Sequence, residues 1–188
     1  MTTTPETEVT TLKLLLQVAS KLNSTLNLDE LLQLIIGTSK QVLHTENNSI
    51  MLVDDNTGEL MFYVVANDPT GSLVQQRLPP GQGIAGWVVQ NGQPLLIDDP
   101  ASDPRFYSGI DAAVGSTTRN ILAIPLIVKD RTVGVMEATN KESGAGFSSS
   151  DLELGEALAS LAAVAIDNAQ MYAKLTDAVV TARMSYRL

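Results

Sequence analysis

The chain has 188 residues, 44% of them hydrophobic, which suffices for one domain with a buried core and a helical extension. The formal net charge of −9 disfavours binding to nucleic acid, and the lack of cysteine excludes disulfides, thiolate metal sites and thiol catalysis. The longest apolar run, "ILAIPLIV", is too short to span a bilayer, and the polar start "MTTTPETEVTT" lacks a signal-peptide core, so we expect a soluble cytoplasmic protein.

Two helices are predicted before the first strand. Apolar residues at helical spacing define the first: Leu12, Leu15, Leu16, Ala19 and Leu22. The second follows the break "NST" and begins with Asn27 as N-cap and Glu30 at the capping-box position. Leu26 and Leu31 form a hydrophobic staple across its start, and we expect it to run to about Leu43.

The middle of the chain predicts two β-hairpins. "NSIMLVDD" and "ELMFYVVAN" flank the turn signal at residues 55–58, and "ILAIPLIV" and "TVGVMEATN" flank "KDR". Pro125 lies inside the third of these strands and has no N–H to donate. We therefore expect an edge position or a bulge there.

The stretch "LPPGQGIAGWVVQNGQPLLIDD" contains G-x-G-x-x-G at Gly81, Gly83 and Gly86. A dinucleotide site needs a strand leading directly into the glycines and a full-length helix after them. Here prolines 79–80 interrupt the entry, and residues 91–92 end the helix after about eight residues. We interpret the first two glycines as a turn and helix start, and Gly86 as the point where the short helix approaches the sheet.

The C-terminal helix is predicted to be the longest element. Ser148 and Asp151 form its capping box, and Phe147 and Leu152 its staple. A heptad seam follows, with members Leu154, Leu158, Leu161, Ala165, Asn168, Tyr172, Leu175 and Val179. Together with the stripe on the first helix, this seam predicts a parallel homodimer through a four-helix bundle. The asparagine in the seam either sets the register of that dimer or contacts its own domain.

Three segments in order resemble the GAF domain family: "PPGQGIAGWVVQNGQPLLIDDPASDPRF", "ILAIPLIVKDRTVGVMEATNK" and "FSSSDLELGEALASLAAVAIDNAQMY". The resemblance implies an α+β fold with an antiparallel sheet of about six strands. The N- and C-terminal helices would pack on one face, with short helices and loops over a pocket on the other. It divides the chain into an N-terminal helix (1–24), a GAF domain (25–173) and a helical extension (174–188). Whether the chain is a complete protein or a fragment stays open.

The family implies a sensory or regulatory module of bacterial signal transduction that binds a small molecule and acts on a kinase, cyclase or regulator. The alternatives are a ligand-free dimerisation scaffold, a cyclic-nucleotide sensor, and an enzyme using the loop acids Asp98, Asp99 and Asp103. The family's photoreceptors with thiol-linked tetrapyrroles and its sulfoxide reductases use cysteine, which is absent here. The lone His44 is expected to face solvent at a helix end rather than bind a chromophore or metal. We expect that the protein is not an enzyme, and the sequence does not identify its ligand.

Cyclic-nucleotide-binding members of the family carry an Asn-Lys…Phe…Asp-Glu pattern. This chain resembles it at Asn140, Lys141, Phe147 and Asp151, but Leu152 replaces the glutamate. In the family the lysine and aspartate are thought to pair structurally, so the resemblance implies the fold more than the ligand.

Seven residues are candidates for ligand contact. Residues 103–107 resemble the loop that covers the pocket in the family, and Arg119 suits either an anionic ligand or a surface salt bridge. Trp87 suits the core or a ligand platform. Two residues of the last strand share a face that a helix or a ligand would approach. The set is Trp87, Asp103, Phe106, Tyr107, Arg119, Met136 and Ala138.

Overall fold

Five α-helices and a six-stranded sheet make up the part of the chain that the computed structural model describes, residues 5–22, 27–66, 68, 71–74 and 76–185. The helices are α1 (Pro5–Leu22), α2 (Leu28–Leu43), α3 (Gly83–Asn91), α4 (Gly109–Val114) and α5 (Ser149–Ser185). The strands are β1 (Thr45–Val53), β2 (Leu60–Val65), β3 (Arg77–Leu78), β4 (Leu95–Ile97), β5 (Ile121–Val128) and β6 (Arg131–Lys141). A single turn of 3₁₀ helix spans Pro100–Ser102.

The sheet has the order β3-β2-β1-β6-β5-β4, and the pairing of each neighbouring pair is antiparallel. β1–β2 and β5–β6 are the two predicted hairpins. The second closes through Lys129 and Asp130, whose φ angles of 46° and 65° are those of a tight hairpin turn. The antiparallel sheet of six strands confirms the predicted α+β class and is incompatible with a dinucleotide fold.

Pro125 sits in β5 at a place where only one neighbour needs a ladder bond. It pairs with Val135 of β6, whereas β4 begins only opposite Ala123. The register also shifts between Leu126 and Ile127. Both predicted features, a locally unpaired strand edge and a nearby β-bulge, therefore occur together.

The two faces of the sheet carry separate cores. On one face α2 and α5 pack over β1, β5 and β6, and α1 adds the buried Val18. On the other face α3 and the loops around it cover a second cluster that includes Met51, Ile84 and Val88. This is the predicted arrangement of terminal helices on one face and short helices on the other.

The capping residues predicted from the sequence hold the helix starts. The Glu30 amide donates to Asn27 Oδ1 at 3.3 Å at the start of α2. In α5 the Ser148 amide donates to Asp151 Oδ2 at 2.7 Å, and the Asp151 amide donates back to Ser148 Oγ at 3.3 Å. α2 ends at Leu43, followed by an exposed His44 with φ 51°, as expected for a solvent-facing residue at a helix end.

The glycine-rich turn before α3 differs from the prediction at one glycine. Gly81 and Gly83 form the turn and helix start with φ angles of 76° and 74°, and Gly92 ends the short helix, as expected. The nearest neighbour of Gly86, however, is the turn itself. A Cβ there would lie 2.4 Å from the carbonyl carbon of Gly81. The turn folds back over its own helix, which a residue pattern does not reveal.

Half of the predicted seam on α5 is used by the domain itself. Leu158 and Ala165 are buried, and Leu154 and Leu161 pack against the same core under α2 and α5. These four residues therefore serve the core of their own domain, because the first half of α5 lies on the sheet.

The second half of α5 is more exposed. Asn168 is half-buried, and Tyr172 and Leu175 are 52% and 64% exposed. Val164 and Met171, which the prediction omitted, are exposed as well. Val179 lies outside the residues whose side chains are described. An exposed apolar stripe on α5 therefore begins near residue 164.

α1 has a matching division of its apolar residues. Val18 is buried and Leu15 packs against the core, whereas Val9, Leu12 and Leu16 are exposed. Ala19 is half-buried and the Leu22 side chain lies outside the described residues. Across all helices of the described segments, none combines the length and the apolar character that crossing a membrane requires.

Candidate functional site

A cavity of about 440 Å³ lies on the sheet face opposite α2 and α5. Strands β1 and β6 form its floor, and α3, α4 and the loop after β2 close over it. Its volume falls within the range of about 300–1,000 Å³ that is typical of small-molecule sites. The predicted pocket under short helices and loops is therefore present as a space.

The floor of the cavity carries four polar side chains on the two central strands. Asn47 and Ser49 of β1 lie opposite Thr139 and Glu137 of β6 in the ladder, and all four line the cavity. Alternate residues of a strand point to the same face, so each of the two strands brings two polar groups to this side. We refer to these four residues as the polar floor.

Glu137 is the ionisable member of the polar floor. Its side chain retains some accessible surface because it borders the cavity. Protein encloses it otherwise, and this burial raises the pKa of its carboxyl to about 7. Among the described residues, no hydrogen-bond donor or cation contacts this carboxyl. A carboxyl group that is largely enclosed by protein, reaches solvent at the cavity and has no described protein partner is the most unusual feature of the site.

Two other carboxylates at the cavity are occupied with holding loops. Asp68 accepts hydrogen bonds from the amides of Ser72 and Leu73, at 3.0 Å and 2.8 Å. Asp111 accepts from the Thr118 amide and hydroxyl, both at 2.7 Å. These bonds shape the loops that border the cavity, so both carboxylates have structural partners that Glu137 lacks.

Aromatic and aliphatic side chains form the remaining walls. Phe62 lies on β2, and Phe106 and Tyr107 come from the loop before α4. No lysine, arginine or histidine is found among the described residues that line the cavity. The site thus offers apolar surface, aromatic rings and carboxylates.

Two of the seven predicted contact residues, Phe106 and Tyr107, line the cavity. Asp103 and Trp87 do not. Asp103 receives the Arg105 guanidinium at 2.7 Å, and Arg105 lies 4.9 Å from the centroid of the Trp87 ring. Hydrogen bonds from Arg105 lower the pKa of the Asp103 carboxyl. These three residues clamp the covering loop to α3, so their role here is to build the cover.

Arg119 is also away from the cavity, contrary to its candidate role. Its guanidinium reaches Glu46 Oε1 at 2.7 Å, and both side chains are about half exposed, at 48% and 45%. The hydrogen bond from Arg119 is the main cause that lowers the pKa of Glu46. The alternative interpretation, a surface salt bridge, describes this residue.

Met136 and Ala138 face the opposite side of the sheet from the cavity. Both are buried in the core beneath α2 and α5. What approaches this face is therefore a helix and not a ligand. The intervening Glu137 and the following Thr139 line the cavity instead. A charged residue in the middle of the apolar strand "TVGVMEATN" was the sequence signal that could have identified the site.

The residues that resemble the motif of cyclic-nucleotide-binding domains make their contacts outside the cavity. Lys141 Nζ contacts Asp151 Oδ2, and it lies 5.7 Å from the centroid of the Phe147 ring. Asn140, with φ 60°, accepts from the Arg119 amide at 2.8 Å and donates to the Thr117 carbonyl at 3.0 Å. These contacts join the end of β6 to α5 and to the loop before β5, which agrees with a structural role.

Known proteins with similar sequences support the same fold. A model of the GAF domain family matches residues 25–167, so the chain belongs to the GAF domain family. The chain is 26% identical over 171 residues to the probable 3′,5′-cyclic phosphodiesterase pde-5 of Caenorhabditis elegans. That match covers 86% of this chain and 23% of the relative, so the chain spans about a quarter of that protein.

Two solved structures illustrate the likeness in fold. The GAF domain of a phosphoenolpyruvate-protein phosphotransferase (ptsP) from Coxiella burnetii superposes with a TM-score of 0.78 at 22% identity, covering 87% of this chain and 96% of that one. The free methionine-R-sulfoxide reductase from Neisseria meningitidis, solved with its substrate, gives 0.73 at 18% identity, covering 92% and 96%. A GAF domain is a regulatory or sensory fold of signalling proteins, and at these identities the structures support the fold alone.

Proposed function

We propose that this domain is a small-molecule sensor of the kind found in bacterial signal transduction, and that it passes its signal through its terminal helices. The observation that carries the proposal is the cavity of about 440 Å³ on the polar floor. A scaffold without a ligand would fill this space with its own side chains.

A physical route from the cavity to the helices runs through the two central strands. Glu137 lines the cavity, while its neighbours Met136 and Ala138 pack in the core under α2 and α5. On β1, Ser49 lines the cavity and Ile50 belongs to the helix core. A ligand that favours one position of these strands would change the packing of the helices, provided it binds the two arrangements unequally.

A thermal-shift screen tests the sensor proposal. We expect at least one compound class from a library of amines, amino acids, nucleotides, cyclic nucleotides and tetrapyrroles to stabilise the protein. A compound present at 100 times its dissociation constant adds about 2.7 kcal/mol to the free energy of unfolding. If the whole library leaves the melting temperature unchanged, the dimerisation scaffold becomes the better interpretation.

The charges at the cavity disfavour the cyclic-nucleotide alternative. A cyclic nucleotide carries a phosphate anion, and burying it beside carboxylates without a cation is unfavourable. The described cavity lining offers carboxylates and no basic side chain. The sequence of the loop after β2, "ANDPTGSLVQQ", adds none at its undescribed positions either. We therefore propose a ligand that is not an anion.

We also propose that the domain does not catalyse a reaction. The chain has no cysteine and one histidine, which is exposed at the end of α2. Of the loop acids considered as a catalytic pair, Asp103 is paired with Arg105, and Asp99 accepts from Ser102 Oγ at 2.5 Å. Neither these two nor Asp98 lines the cavity. Turnover of any ligand found in the screen would contradict this.

We further propose a homodimer through α1 and the second half of α5. Leu12 and Leu16 of α1 and Met171 and Leu175 of α5 expose apolar surface between 43% and 64%. The two helices are in contact, so their exposed stripes lie on neighbouring elements. A second copy would bury both stripes across a two-fold axis.

Light scattering combined with size-exclusion chromatography tests the dimer. We expect a mass of about 40 kDa, twice the 20.0 kDa of one chain, and a monomer for Leu16→Asp or Leu175→Asp, because a carboxylate in an apolar interface is costly to desolvate. Leu96→Asp, at an exposed leucine of β4, is the matched control and should remain dimeric. A wild-type monomer, or two helix variants that stay dimeric, would refute this interface.

A further inference from the structure

Glu137 has a position that the fold alone does not require. It lies on β6 between two central neighbours, opposite Ser49 on one side and Ala123 on the other. Its carboxyl borders the cavity, and no described residue donates a hydrogen bond to it or forms an ion pair with it. Ionising a carboxyl that protein largely encloses is costly without a partner, so an unpaired one that faces a cavity suits a ligand group that supplies that partner.

The other two carboxylates of the cavity differ from Glu137 because they have hydrogen-bond partners in the protein. Asp68 and Asp111 each accept at least two hydrogen bonds from loop amides or hydroxyls. Their charges are therefore partly satisfied by the protein. Glu137 receives no such bond, so its carboxyl retains its full capacity to accept hydrogen bonds from a ligand.

The charges of the residues that line the cavity indicate the charge of that ligand. Three carboxyl-bearing residues and no basic residue line its described part. The potential inside is therefore negative and attracts a cation. Phe62, Phe106 and Tyr107 supply aromatic rings in the same walls, and the face of such a ring is a second favourable surface for a cation.

We propose that the cavity binds a small organic cation, a protonated amine with an apolar or aromatic body, whose ammonium group pairs with the Glu137 carboxylate. The inference rests on the sensor function proposed above and specifies its ligand class. The ammonium donates to the polar floor, and the body of the ligand contacts the aromatic walls. A charge-assisted hydrogen bond of this kind is roughly twice as strong as a neutral one.

Three probes of one shape and different charge test the proposal: 2-phenylethylamine, 2-phenylethanol and phenylacetate. Their binding to the full chain is measured by calorimetry or by NMR titration at pH 8. We expect the amine to bind about tenfold more tightly than the alcohol, and phenylacetate to bind most weakly. An amine that binds no better than the alcohol, or that does not bind at all, overturns the proposal.

Glu137→Gln keeps the shape of the side chain and removes its charge. This variant should lose the preference for the amine, so that amine and alcohol bind within about twofold of each other. Glu142→Gln changes an exposed glutamate just beyond β6 and should keep the wild-type preference. If Glu137→Gln still prefers the amine, the cation is held elsewhere and the assignment is wrong.

A pH profile separates charge pairing from a merely structural role. Affinity of the wild type for the amine should rise between pH 6 and pH 8 as Glu137 ionises near 7, since the amine itself titrates only near roughly 10. Asp68, Asp111 and Tyr107 are the other titratable groups facing the cavity among the described residues, and none of them becomes a cation. The Glu137→Gln profile should be flat across this window, and a rise of equal size there would overturn the proposal.

The cation proposal and the sensor proposal fail on different results. A ligand from the broad screen that is anionic, or whose binding ignores Glu137→Gln, contradicts the cation assignment and leaves a sensor. A screen without any ligand contradicts the sensor itself.

Discussion

Replacing Asp151 by alanine should lower the free energy of unfolding by about 3–5 kcal/mol, which is the usual effect of removing one partner from a buried ion pair. The side chains of Lys141 and Asp151 are only 17% and 10% exposed. The aspartate also accepts from the amide and the hydroxyl of Ser148, both at 2.7 Å. Its loss leaves the lysine charge without its counterion and at the same time removes the acceptor of the two bonds from Ser148 at the start of α5.

The same helix contains a control for this prediction. Asp167 pairs with Lys129 at 3.3 Å, but that lysine side chain is 73% exposed. Asp167→Ala should therefore cost less than about 1 kcal/mol, as solvent screens exposed pairs. Urea denaturation monitored by circular dichroism measures both variants. Equal losses for the two aspartates would show that the buried pair contributes nothing beyond a surface contact.

A second variant separates the ion pair from the cap. Lys141→Met in the Asp151→Ala background removes the unpaired cation, and should recover part of the lost stability. The part that remains lost, about 1 kcal/mol, belongs to the cap at Ser148. Since the pKa of Asp151 is lowered by Lys141 and Ser148 despite burial, its contribution is present near neutral pH and disappears as the pH falls below its ordinary 3.8.

The features that sequence reasoning located correctly are those with local signals. Caps such as Asn27 and Ser148 depend on residues three positions apart, and the β5–β6 turn depends on two adjacent residues. Pro125 indicated an interruption in the ladder because its missing N–H is a property of the residue itself. The family resemblance then supplied the order of the elements around these points.

Sequence reasoning was less successful in deciding which neighbour each face of a strand or helix packs against. Period-2 alternation grouped Met136 with Ala138, but it does not tell whether that face meets a helix or a cavity. Leu158 of the predicted seam is buried in its own domain for a related reason, since an apolar stripe packs equally well on a sheet or on another helix. The neighbouring Glu137 carried the missing information, because a charge in the middle of an apolar strand needs an explanation that packing does not offer.

Glu137→Gln should stabilise the ligand-free protein, and by more at high pH than at low pH. Burial raises the pKa of the Glu137 carboxyl from its ordinary 4.5 to about 7. Below pH 4.5 the carboxyl is protonated in both the folded and the unfolded chain, so its ionisation carries no penalty. Between these two values the folded chain holds a proton that the unfolded chain releases, so the stability of the wild type falls as the pH rises.

The size of the effect follows from the same two pKa values. Their separation corresponds to about 3 kcal/mol of stability that the wild type loses between pH 4.5 and pH 8 through this group. Glutamine does not ionise, so the stability advantage of Glu137→Gln over the wild type should grow by about 3 kcal/mol across that range. Other titrating groups, such as Asp151, are common to both proteins and cancel in the difference.

Urea denaturation of the two proteins at pH 4.5, 6, 7 and 8 measures this growing gap, with Glu142→Gln as the control whose gap should stay within about 0.5 kcal/mol at every pH. A gap that does not change with pH would mean that Glu137 is ionised and satisfied in the ligand-free protein. A gap that closes on adding 2-phenylethylamine at pH 8 would connect the two Glu137 predictions. The cation would then supply the partner whose absence destabilises the ligand-free domain, because ligand binding to the folded wild type restores the stability that burial of the charge removes.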